Sequence, residues 1–319
     1  METLTQRTKL LICMLALVGL FLFTLSGNAG DLNPSAPPAP TMKTLDEVEA
    51  RTPIKASDLP LTISSSGSYY LAETINFGTQ NTSGITIDTN DVTIDLNGYS
   101  LIGPGKTAGS NGSGIQASSS FSNISVVNGY ALEWKEHGIY LSSRQNRVES
   151  ITASDNGQSG IWIGSRSIAK NCVCYLNGHH GIDGSSSSIV MGCVAHENTD
   201  DGIYVGNGSV VTGCTSYGND YGIDCSRSCS VTNCSVSYNT TVGIDAGSRS
   251  VVNNCTVVDN GDVGIEVASG STISNCSSAN NAADGIYASD SLIIGNTSYN
   301  NSPNMSLTSC TSLHNHTGP

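Results

Sequence analysis

The stretch from Gly202 to Gly222, GIYVGNGSVVTGCTSYGNDYG, decides the fold. In Ile203-Tyr204-Val205 the apolar residues stand at i and i+2, the spacing of a strand with one face buried. Gly206 to Ser209 reads as a loop, and Val210 to Thr212 as a second strand. Gly213 is suited to a one-residue bend, because glycine tolerates the left-handed conformation. Cys214 to Ser216 reads as a third strand, and a turn through Asn219 leads back to another glycine, Gly222.

That unit recurs. Gly-Ile pairs stand at Gly84, Gly114, Gly138, Gly160, Gly181, Gly202, Gly222, Gly243, Gly264 and Gly285, with steps of 21, 21, 20, 21, 21 and 21 residues from Gly160 onward. Cys172, Cys193, Cys214, Cys234, Cys255 and Cys276 keep the same time. So do Asn177, Asn198, Asn219, Asn239, Asn260 and Asn281, each five residues after its cysteine. The residue before each cysteine is always Gly or Asn, the two types that most readily turn left-handed. Three short strands per coil and no helical period predict an all-β, right-handed parallel β-helix of about ten coils. At about 4.8 Å per coil the rod is roughly 50 Å long. The recurring asparagines would then stack and satisfy turn groups along the axis.

The chain ends set the expected domain limits. Arg7 and Lys9 precede an apolar run from Leu10 to Leu25, followed by Gly27-Asn28-Ala29, the layout of a signal peptide over 1–29. That predicts a secreted protein, extracellular, periplasmic or at the cell surface, with no membrane span in the mature chain. A Pro-rich linker follows over 30–43, then a capping segment over 44–56 in which Thr44-Leu45-Asp46-Glu47 resembles a capping box. The β-helix is expected over 57–319. Its last coil shows no cap, which is expected to mean fraying, self-association through that end or a truncated reading frame.

The net charge is −13, and removing 1–29 takes away Glu2, Arg7 and Lys9 to leave about −14. Such a surface disfavours nucleic acid, whose backbone is bound through Lys and Arg. It should also repel acidic polysaccharides unless a divalent cation intervenes. The cysteine rank is read as buried thiols, since ligands in a straight row cannot converge on a tetrahedral ion. Cys225 and Cys229, flanking one turn, are the best placed for a disulfide. Asn233, Asn254 and Asn275 lie in Asn-X-Ser/Thr sequons but are expected to face inward from the turn.

The entry segment Ser66-Gly67-Ser68-Tyr69-Tyr70-Leu71, with Ile85-Thr86-Ile87 and Val92 to Tyr99, resembles the pectate-lyase-like superfamily of right-handed parallel β-helix proteins over about 57–315. That resemblance implies the fold. It leaves function open, because the superfamily includes lyases, glycoside hydrolases, epimerases, phage spikes and adhesins.

The residue after each Gly-Ile should point outward. Along the rod it reads Thr86, Gln116, Tyr140, Trp162, Asp183, Tyr204, Asp224, Asp245, Glu266 and Tyr287. Aromatic faces beside carboxylates suit sugars, so Tyr140, Trp162, Asp183, Tyr204 and Tyr287 are the expected substrate-binding residues. Stacked Asp224, Asp245 and Glu266 should repel one another. Either calcium relieves this, or one acid keeps its proton and serves as a general acid. Arg249, with Arg227 in the equivalent loop, is the candidate base for lyase chemistry, which the resemblance pairs with a calcium-carboxylate cluster. Asn198-Thr199-Asp200-Asp201 and Gly178-His179-His180-Gly181 are similar to polygalacturonase elements. They occur in the reverse order and the Arg-Ile-Lys element is missing, so they read as chance matches. The sequence thus predicts a secreted carbohydrate-binding β-helix acting on a polysaccharide or cell-surface glycan. Its enzymatic form would be a polysaccharide lyase or glycoside hydrolase using Asp224, Asp245, Glu266 and Arg249. The alternative is a non-catalytic structural or adhesive surface solenoid.

Overall fold

A computed structural model describes residues 50–78, 82–106 and 111–318. The expected signal peptide and linker and the first part of the expected capping segment, residues 1–49, lie outside the described residues. No helix among the described residues is long and apolar enough to cross a membrane. Within 44–56, Thr52–Ile54 forms a strand paired in parallel with Gly67–Leu71.

The chain winds into a parallel solenoid. One sheet has 12 strands, from Leu61–Ile63 to Met305–Thr308, so two coils without a Gly-Ile pair join the ten that carry one. The second and third strands of the coils are counted together as a 23-stranded sheet, because Ile124–Leu132 and Arg147–Ser154 run through the bend that separates the two elsewhere. All recorded pairings are parallel between successive coils, as at Ile182↔Ile203 and Asp183↔Tyr204.

Strands of the first sheet bury their outer two residues and turn the middle one outward, as in Ile203–Val205. Strands of the other two ranks do the reverse, burying only the middle residue, as in Val210–Thr212 and Thr215–Tyr217. The third strand therefore starts one residue later than the sequence suggests. Cys214 belongs to the corner before it, because its neighbour Gly213 turns left-handed at φ 64°. Bends at the residue before each cysteine are present throughout, from Asn171 (φ 52°) to Asn275 (φ 54°).

Two further left-handed ranks escaped the sequence reading. Leu176, Glu197 and Tyr238 occupy one, and Arg166, Ser187 and Arg249 the other, all with φ between 54° and 62°. Each such corner costs about 1–2 kcal/mol in an L-residue, and no glycine signals most of them. Stacked ladders hold them. The Asn177 backbone N–H and side-chain amide both donate to Asn198 Oδ1, at 3.2 and 2.9 Å, and the same double bond repeats from Asn156 to Asn301. The glycine before each isoleucine makes room for this. A Cβ on Gly181 would lie 2.6 Å from the Gly202 carbonyl oxygen and 2.7 Å from Asn198 Nδ2.

The cysteine rank is buried and reduced, each thiol donating to the carbonyl two residues back, 3.4 Å from Cys214 Sγ to the Thr212 oxygen. Cys225 and Cys229 are also free, buried thiols, and Cys229 Sγ donates to the Gly206 carbonyl at 3.4 Å. Asn233, Asn254 and Asn275 do not face inward. They are exposed, because a left-handed corner directs the side chain away from the core, and Asn254 Nδ2 donates to Asn233 Oδ1 at 2.7 Å outside the coil.

Candidate functional site

The first sheet displays the expected row. Tyr140, Trp162, Asp183, Tyr204, Asp224, Asp245, Glu266 and Tyr287 are direct register neighbours on successive strands. All are half-buried except Tyr287, which is exposed at the far end. The rings of Tyr140 and Trp162 lie 4.9 Å apart, and the Trp162 indole N–H donates to the Asp183 carboxylate. Trp162, Asp183 and Tyr204 line one cavity of about 420 Å³ that opens toward Ser185, Ser186 and Asn207.

The turn entering each strand adds a second row. His180 is buried, its Nδ1 3.1 Å from an Asp201 carboxylate oxygen, and its ring stacks on Tyr204 at 5.3 Å. His179 Nε2 lies 3.2 Å from Asp200, and the two histidine rings meet edge to face at 3.9 Å. These four residues were set aside in the sequence as chance matches in the wrong order. Order along the chain has no bearing on contact here, because successive coils lie side by side and residues 21 apart touch. The available signal was their position: His180 and Asp201 each stand immediately before a Gly-Ile pair.

Burial and crowding of like charge set the protonation of the row. Burial pushes the Asp183 carboxyl up to about 6, against the pull of His180 and the Trp162 hydrogen bond. Burial, then the carboxylates of Asp201 and Asp245, push Asp224 up to about 7. Asp245 is raised by burial and then by Asp201, and Glu266 by burial and then by Asp245. His180 runs the other way. Burial opposes its charge, but Asp201, Asp183 and Asp200 outweigh that and raise it. His137, stacked on Tyr140 at 4.9 Å, is held neutral by burial, down at about 4. The site therefore offers, at Asp224, a carboxylic acid that keeps its proton near neutral pH.

Among the described residues, His179, His180 and Asp200 are the trio whose ligand atoms converge, all within 4.8 Å of one another, so they are the groups that could hold a metal ion. Asp224, Asp245 and Glu266 follow one another along the axis and do not converge in that way. Arg249 and Arg227 stand apart from both rows, on the turn that leaves the strand, exposed and without an ion pair among the described residues.

Solved structures of similar winding include the A-module of the Azotobacter vinelandii mannuronan C-5 epimerase AlgE4, at 14% identity over 84% of this chain and 87% of that one (TM-score 0.45). The periplasmic alginate epimerase AlgG matches at 14% identity over 83% of each chain (TM-score 0.49). The pectate lyase Pel9A matches at 15% identity over 79% of this chain and 70% of that one (TM-score 0.40). No curated protein matches the chain in sequence. The family described as right handed beta helix region matches residues 63–231 and 184–317, and the chain belongs to that family.

Proposed function

We propose that this protein is a secreted, glycan-binding β-helix that hydrolyses glycosidic bonds on the outward face of its first sheet. The observation that carries the reading is the run Tyr140, Trp162, Asp183, Tyr204, Asp224, Asp245 in continuous register, with an acid near pKa 7 at its centre. Sugar rings present apolar faces that pack on Tyr140, Trp162 and Tyr204, and hydroxyls that donate to carboxylates. Asp224 is protonated at the pH where a glycosidic oxygen needs a proton, and donates it as the bond breaks. Asp245, on the next strand about 4.8 Å away, is the carboxylate that takes up the glycosyl group, and a water deprotonated by Asp224 then displaces it to release the sugar. That spacing is near the separation of about 5 Å used by retaining glycosidases. Tyr204 and His180, stacked on each other, form the wall that fixes the ring beside Asp224.

The test is incubation of the protein with neutral and acidic polysaccharides, scoring reducing ends and unsaturated products separately. New reducing ends that disappear in Asp224→Asn support hydrolysis. Unsaturated products would replace it with lyase chemistry. Retention of glycan without turnover would leave the adhesive solenoid as the function.

A further inference from the structure

The turns that leave the first sheet form a groove of about 510 Å³ lined by Ser142, Ser143, Arg144, Ser165, Arg166 and Ser186 among others, with no carboxylate in its wall. In a chain of net charge −13, that is a local reversal of sign. Neither Arg144 nor Arg166 forms an ion pair among the described residues, so both guanidiniums keep their donors open. The groove shares Ser186 with the adjoining cavity floored by Trp162, Asp183 and Tyr204. A sugar ring packed on Trp162 therefore sits in the cavity that adjoins the serine and arginine wall.

We propose that this groove is a subsite for the anionic substituent of the glycan, a carboxylate or a sulfate ester. The inference rests on the glycan-binding reading and adds the substrate class to it. The planar guanidinium fork pairs with either oxyanion through two N–H donors, and the serine hydroxyls complete the shell. The overall negative charge repels a polyanion at long range, but a groove lined by two arginines binds it locally, and that short-range attraction weakens as salt rises.

The test measures binding of length-matched neutral, uronate-containing and sulfated oligosaccharides to the full-length protein, at low and high salt. The variants are Arg144→Gln/Arg166→Gln and, outside the groove, Arg249→Gln. Wild type should bind one anionic series at least about tenfold tighter than the neutral one, the yield of one charge-assisted pair. The double variant should lose that preference and keep its neutral affinity, while Arg249→Gln keeps both. Whichever of the uronate and sulfated series carries the preference identifies the oxyanion. Equal preference in wild type and the double variant, or tighter neutral binding by wild type, overturns the subsite and leaves the glycan reading standing. No binding of any series overturns both.

Discussion

The turn that enters each strand of the first sheet and the turn that leaves it are made of the same small polar residues, yet they differ in charge and in how they are held. The entry turns carry His180, Asp200, Asp201, Asp220, Asp262 and Asp284, and the exit turns between Ser142 and Ser271 carry Arg144, Arg166, Arg227 and Arg249 without an acid. The entry side rests on the asparagine ladder, with two bonds from one residue to the next oxygen. The exit side rests on serines, with single bonds such as Ser188 N–H to Ser209 Oγ at 3.1 Å. The double ladder fixes the edge where His180 and Asp201 must meet within 3.1 Å. The single ladder suffices for an edge whose exposed arginines, in the proposed anionic subsite, need less exact placement. A solenoid can divide labour this way because each edge of a sheet repeats its own corner independently.

Four measurements probe that division. Asn198→Ala should cost most, about 3 kcal/mol or more by denaturant unfolding. It strands the buried Asn177 N–H, leaves the Asn177 amide only its bond to the Ala153 carbonyl and removes the donor to the Cys174 carbonyl, and each unpaired buried group costs about 1–3 kcal/mol. Ser209→Ala, on the exit side, strands the Ser188 N–H and removes one long donor bond to the Ser185 carbonyl, at 3.4 Å, and should cost about 1 kcal/mol. Equal losses would erase the contrast between the edges. In turnover, Asp224→Asn should lower the rate on the order of 100-fold, the usual contribution of a general acid, with substrate affinity nearly unchanged. Trp162→Ala should weaken glycan retention about tenfold while leaving the melting temperature near wild type, since this half-buried ring lies outside the coil core.

The smallest effect is in pH. Asp183 and Asp224 are raised to about 6 and 7 in the fold, so the folded chain holds protons that the unfolded chain releases from about pH 4 upward. Their contribution favours folding at acid pH and is lost as pH rises through 6 to 7. On going from pH 5 to pH 8, wild type should therefore lose melting temperature relative to Asp224→Asn, by a few degrees at most. A difference that does not change with pH would show that Asp224 titrates normally.

Much of this was legible in the sequence. Strand ranks, the left-handed bend before each cysteine, the inward thiols, the asparagine ladder and the outward row from Tyr140 to Tyr287 all follow from residue type at a fixed period. The left-handed corners at Leu176 and Tyr238 were not legible, because no residue preference marks them and only the stacked ladders make them affordable. Asn233, Asn254 and Asn275 were read as inward because asparagine recurs on both sides of the wall, and only the backbone angle separates an outer corner from an inner rung.

The sequence by itself determined the winding, because a repeat of 21 residues with two-residue apolar alternation has one way to bury its core. Tertiary structure alone decided the chemistry. It set His180 against Asp201 across two coils, desolvated Asp183 and Asp224 enough for burial to raise their pKa, and sorted arginines and acids to opposite edges of one sheet. Contact, burial and field are properties of distance in space, and residues 21 apart become neighbours only once the coil has closed.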